Sequence, residues 1–123
     1  MIIKINGTEY DLNFGVAFIR ELDKIDGIKA NLTADQKANF GMAMKIVSPQ
    51  IDMGSVAALS DVLYCAAWDN KQRPSRKIID EYLDNSKTDL TWLFKEVQTE
   101  FKKSNSIQAE LKVVKKAVKN PKA

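Results

Sequence analysis

Apolar and polar residues alternate from the first position of the chain. Met1, Ile3 and Ile5 precede Asn6-Gly7, and Thr8, Tyr10 and Leu12 follow it. Successive side chains of a strand point to opposite faces, so these six share one face. Asn-Gly tolerates the positive φ that a type I′ turn needs at both central positions, which predicts a hairpin with a two-residue loop. The register that follows pairs Ile5 with Thr8, Lys4 with Glu9, Ile3 with Tyr10 and Met1 with Leu12. Lys4 and Glu9 then meet on the other face as an opposite-charge pair. A lone hairpin is marginal in water, so this apolar face needs a cover.

After residue 12 the apolar period lengthens to three and four. Asn13 is placed to cap a first helix from about Phe14 to Asp26, with Phe14, Phe18, Leu22 and Ile25 on one stripe and Gly27 at its end. Thr33-Ala-Asp-Gln36 has the form of a capping box, opening a second helix that carries Phe40, Met44 and Val47 and stops near Val47, before Pro49. Gly41 weakens that helix by about 1 kcal/mol relative to Ala. Ser55 caps a third helix, about Val56 to Asp69, which is apolar on most sides and therefore central. Pro74 starts a fourth helix that runs to about Leu83 with Ile78, Ile79, Tyr82 and Leu83 inward. Thr88 opens a fifth, with Leu90, Leu93, Phe94, Val97 and Phe101 on its stripe and Lys102 and Lys103 in its last turn. Ser104-Asn105-Ser106 interrupts or kinks it. Ile107, Leu111, Val114 and Val118 then recur at 4, 3 and 4 as a narrow seam between lysines, and residues 120–123 are expected to fray.

The elements imply a mainly helical α+β fold: an N-terminal β-hairpin packed on a bundle of about five helices, with a basic C-terminal helix. The expected division is one globular domain over residues 1–104 and a basic amphipathic helix with a frayed end over 105–123. A chain of 123 residues is long enough for one core without staples. The single cysteine, Cys65, sits in an apolar run, where a small buried hydrophobe is expected rather than a reactive thiol. No membrane span and no leader pattern are visible, which reads as a reducing, cytoplasmic compartment.

Charge is uneven. Residues 102–123 hold seven lysines against Glu110 alone, while the rest carries twelve cations against fifteen acids, a mildly acidic body with a basic end. Two observations then limit the chemistry. The chain has no histidine, which removes the commonest general base and metal ligand together. No phosphate loop, dinucleotide glycine pattern or nucleophile elbow is present. Carboxylates cluster at Asp80, Glu81 and Asp84 and at Asp23 and Asp26, on helix faces read as solvated rather than facing each other across a cleft. No enzyme activity, metal or cofactor is expected.

The lysines of the basic end suit phosphate contacts, yet that end has no arginine and no aromatic past Phe101. Base reading leans on Arg, and single-strand binding on stacked rings, so nucleic acid is not the favoured partner. The seam has two readings: it packs on its own domain, or it docks a partner helix-in-groove. Under the second reading Ile107, Leu111, Val114 and Val118, with Lys112, Lys115 and Lys116, are the partner-binding residues. Arg73 and Lys71, beside the start of the fourth helix, are either an anion site or part of a polar loop.

Two stretches carry a family resemblance. Ile2-Ile-Lys-Ile-Asn-Gly-Thr-Glu-Tyr-Asp-Leu-Asn-Phe14, followed at once by a helix, resembles the start of tail assembly chaperones of long, non-contractile-tailed phages of Gram-positive hosts. Trp68-Asp-Asn-Lys-Gln-Arg-Pro-Ser-Arg-Lys-Ile-Ile-Asp-Glu-Tyr-Leu83 resembles the middle of the same family. The resemblance implies a non-enzymatic protein that coats the helical tape measure protein, keeps it soluble and helps bring tail tube subunits around it. It further implies action in the host cell cytoplasm, absence from the mature virion, and in many cases a longer frameshifted form that recruits the tube protein; self-association is a separate expectation, from the unpaired outer edges of the hairpin. The alternative from the residues alone is a small nucleic-acid-associated or regulatory binding protein that uses the basic tail.

Overall fold

The computed structural model describes residues 1–31 and 37–119 of the chain, and the side chains of residues 1–27 and 42–112. Strands β1 (Ile2–Ile5) and β2 (Thr8–Asp11) form the expected hairpin in the expected register. Asn6 and Gly7 have φ of 51° and 81°, as a type I′ turn requires. Ile3, Ile5 and Leu12 are buried, and Met1 and Tyr10 pack against the same core.

The Leu12 N–H donates to the Met1 carbonyl at 2.8 Å. Hydrogen-bonded and open pairs alternate in an antiparallel ladder, so the backbone groups of Ile2, Lys4, Glu9 and Asp11 point outward. Asn70 clasps the β2 edge. Its side-chain oxygen accepts from the Asp11 N–H at 3.3 Å, and its amide nitrogen donates to the Asp11 carbonyl at 3.0 Å. No described residue bonds the outward groups of Ile2 and Lys4.

Helix α1 (Val16–Asp26) begins later than its apolar spacing suggests, with Gly15 rather than Asn13 at the cap position. The Asn13 N–H is held by the Ala66 carbonyl at 2.8 Å, and its side chain accepts from Gly15 N–H at 3.0 Å. The chain is thus pinned to the end of another helix before α1 can start. Phe18 and Leu22 are buried as expected, but Ile25 is exposed and Ile19 takes its place in the core.

The region after α1 departs from the sequence reading. A second hairpin forms from β3 (Ile28–Asn31) and β4 (Lys37–Gly41), with a register shift between Ile28 and Lys29. Residues 37–41, expected in the second helix, are a strand; the capping box Thr33–Gln36 lies outside the described residues, as does the side chain of Phe40. Pairing with β3 overrides a weak local helix signal here, and Met42, with φ of 70°, turns the chain out of the sheet.

Helix α2 (Ala43–Asp52) follows. Its cap comes from another element: the Asp23 carboxylate on α1 accepts from the Ala43 N–H at 3.0 Å. Pro49 does not stop the helix but lies within it. An interior proline costs about 3 kcal/mol. Met44 and Val47 before it and Ile51 after it are all buried, and their burial offsets that cost. Gly54, with φ of 81°, ends the segment.

The later helices follow the apolar pattern closely. Helix α3 (Val56–Ala66) is capped by Ser55, whose hydroxyl accepts from Ala58 N–H at 3.2 Å, and it is the central helix, packed on α1, α2 and α4. Helix α4 (Arg76–Asp84) is capped by Ser75, so Pro74 precedes the cap instead of opening the first turn. Helix α5 (Leu90–Lys103) is capped by Asp89 rather than Thr88, whose hydroxyl donates to the Tyr82 carbonyl at 2.6 Å. A break at Ser104 separates α5 from α6 (Asn105–Lys119).

The core is continuous. Phe14 and Phe18 pack at 5.1 Å between ring centres, and Phe101 on α5 meets them at 6.0 and 6.1 Å. The architecture is α+β and mainly α: the N-terminal hairpin covers its apolar face with helices, and a second hairpin is added beside α1.

Candidate functional site

The Ser104 break turns the basic helix toward the body. The Ser104 hydroxyl donates to the Phe14 carbonyl at 2.7 Å and accepts from Ile107 N–H at 3.3 Å, so one side chain both anchors the corner and caps α6. The Gln108 amide donates to the Phe101 carbonyl at 2.8 Å, satisfying an end group of α5.

These bonds set where the seam points. Ile107 is fully buried and Leu111 is half-buried against the core. Lys112 is exposed. The side chains of Val114, Lys115, Lys116 and Val118 lie outside the described residues, although their backbone continues α6.

Beside Leu111 the surface opens into a groove of about 680 Å³ between α2, α5 and α6. Pro49, Phe101 and Leu111 supply its apolar lining, and Lys45, Lys102 and Lys112 its charge. Asp52 also lines it and accepts from the Gln98 amide at 3.1 Å. Sequence reading included Leu111 and Lys112 but missed Lys45 and Lys102. The groove's lysines come from three helices, and no local spacing signals that meeting.

The other candidates resolve as framework. Arg73 is not free for an anion: its guanidinium lies 3.9 Å from the Tyr64 ring centre, donates twice to the Tyr64 carbonyl at 3.2 and 2.9 Å, and pairs with Glu21 at 2.9 Å. Lys24, bonded to Glu21 at 2.6 Å, and Arg73 together hold the Glu21 carboxyl below its ordinary range. Arg76 on α4 reaches Asp61 on α3, and the Ser60 hydroxyl donates to Asp80, so a second set of polar contacts joins these two helices. Lys71 is exposed.

Two of the clustered carboxylates therefore do structural work, Asp23 as a cap and Asp80 as an acceptor. Among the described residues no three His, Cys, Asp or Glu side chains are grouped to hold a metal. Burial pushes the Cys65 thiol up to about 12, which leaves it an inert core residue. No described helix is long and apolar enough to cross a membrane.

No curated protein and no solved structure matches the chain. A family model described as phage tail assembly chaperone protein, TAC, matches residues 2–116. That span takes in both hairpins, the six helices up to the last turn of α6, and the groove between α2, α5 and α6. The chain belongs to the phage tail assembly chaperone family.

Proposed function

We propose that this protein is a non-enzymatic chaperone that binds the tape measure protein, keeps it soluble and assists assembly of the tail tube around it. The observation that carries the reading is the family match over residues 2–116. Two further features support it. The described residues offer a basic groove with an apolar lining between α2, α5 and α6. A long helical partner also presents many similar segments, so modest contacts repeated along it raise overall affinity 10²-fold or more. The proposed setting is the cytoplasm of the infected host, with the protein absent from the finished virion. Contact with the tail tube protein is indirect or belongs to a longer frameshifted form.

Co-expression with the tape measure protein of the same phage tests this. The expected result is a soluble complex that survives size-exclusion chromatography. A tape measure protein that is equally soluble alone, with no complex formed, sinks the proposal. A second reading, a nucleic-acid-associated or regulatory protein, rests on the seven lysines of residues 102–123. Tight DNA binding lost steeply with added salt would favour it.

A further inference from the structure

The groove between α2, α5 and α6 has a composition that selects its occupant. Its apolar lining is the exposed Pro49 and the half-buried Leu111, with the nearly buried Phe101 beneath them. Three lysines on three different helices border it, against one carboxylate, Asp52, which already accepts from Gln98. An apolar strip bordered by charge of one sign is the form that receives an amphipathic helix of the opposite sign. Lysine stems extend the apolar surface while their ammonium groups stay in water, so the border does not block the lining. Nucleic acid fits less well, because Phe101, the one aromatic lining residue, is only 4% exposed and presents no open face for a base to stack on.

We propose that this groove receives an acidic amphipathic helical segment of the tape measure protein, its apolar stripe on Pro49 and Leu111 and its carboxylates against Lys45, Lys102 and Lys112. The proposal rests on the chaperone reading above and adds the place and the chemistry of the contact. Border charges govern encounter rate and partner choice more than final affinity, so the lysines set which segments of a long helical protein dock. The apolar lining holds them once docked.

The test uses the full chain and the tape measure protein of the same phage. Binding is measured by biolayer interferometry at 50 and 300 mM NaCl for the parent, for the triple variant K45E/K102E/K112E, and for a control, K77E/K87E, reversed on exposed lysines outside the groove. Thermal melting reports on folding, and K45Q/K102Q/K112Q replaces the reversal if that variant melts early. The expected result is a loss of affinity of at least about tenfold in the groove variant, with an unchanged control and parent binding that weakens with salt.

Parent-like binding by the folded groove variants overturns the groove assignment and leaves the chaperone reading standing. No binding by the parent overturns both. Sedimentation of each protein alone covers the remaining occupant: a parent dimer that the groove variant abolishes would make the groove a self-association surface and end the proposal.

Discussion

Arg73, just before α4, reaches two helices through one planar group: it stacks on Tyr64 of α3, donates to the Tyr64 carbonyl near the end of that helix, and pairs with Glu21 on α1. A lysine keeps the charge but cannot reproduce the paired donors or the stacked plane. Arg73→Lys is therefore expected to cost about 2 kcal/mol, read as a urea midpoint lowered by on the order of 1 M at unchanged m. Part of that cost depends on pH. The Glu21 carboxyl is held below its ordinary value of 4.5 by Lys24 and by Arg73. A depressed carboxyl adds stability that is present above the unfolded value and is lost as pH falls through the folded one. The gap between parent and variant should thus be widest above pH 4.5 and narrow in stronger acid. A gap that widens with acid would refute the pairing. The sequence placed Arg73 at a helix start but concealed its role, because its partners lie 9 and 52 positions away.

At the scale of elements, legibility tracked how far each one depends on its own residues. The first hairpin is written in Asn6-Gly7 and strict alternation, and α3, α4 and α5 in their apolar stripes; of their caps only Ser55 is legible beforehand, since α4 and α5 are capped by Ser75 and Asp89, one position after Pro74 and Thr88. The second hairpin was missed because the pairing of residues 37–41 with 28–31 outweighs a local helix signal already weakened by Gly41. α2 was misplaced for a related reason, since its cap is the Asp23 carboxylate of α1 and its proline is tolerated by burial on both sides. The Ser104 corner was visible as a polar interruption, but its bond to the Phe14 carbonyl was not. Ser104→Ala removes that bond and the cap of α6 together, and is expected to cost about 1–2 kcal/mol. A melting temperature unchanged from the parent would show that the corner is held by packing alone.

For the whole molecule, the question is how much of α6 the body needs. Ile107 is fully buried and Leu111 half-buried, while Lys112 faces solvent. Removing a buried aliphatic side chain costs about 2–5 kcal/mol. Truncation after Ser104 is expected to lower the melting temperature by more than about 5 °C, whereas truncation after Lys112 should change it far less. Equal melting for both would return residues 105–123 to the status of a separate arm. The candidate site was half legible on the same grounds. Leu111 and Lys112 stand out in the 4, 3, 4 seam, but Lys45 and Lys102 join them only once α2 and α5 are folded side by side.

The Asn70 clasp has a consequence for molecules in number. It occupies one of the two outward positions of β2, so a strand cannot run along that side without displacing it. The β1 side carries no such guard among the described residues. A sheet open on one side can take a neighbour once, and growth then terminates. A sheet open on both sides can relay pairing from molecule to molecule without end. Asn70→Ala is expected to shift the protein from finite species to concentration-dependent chains, visible as rising light scattering at unchanged helical content. Scattering that stays at the parent's level would show that the clasp secures the turn after α3 and does not limit polymerisation.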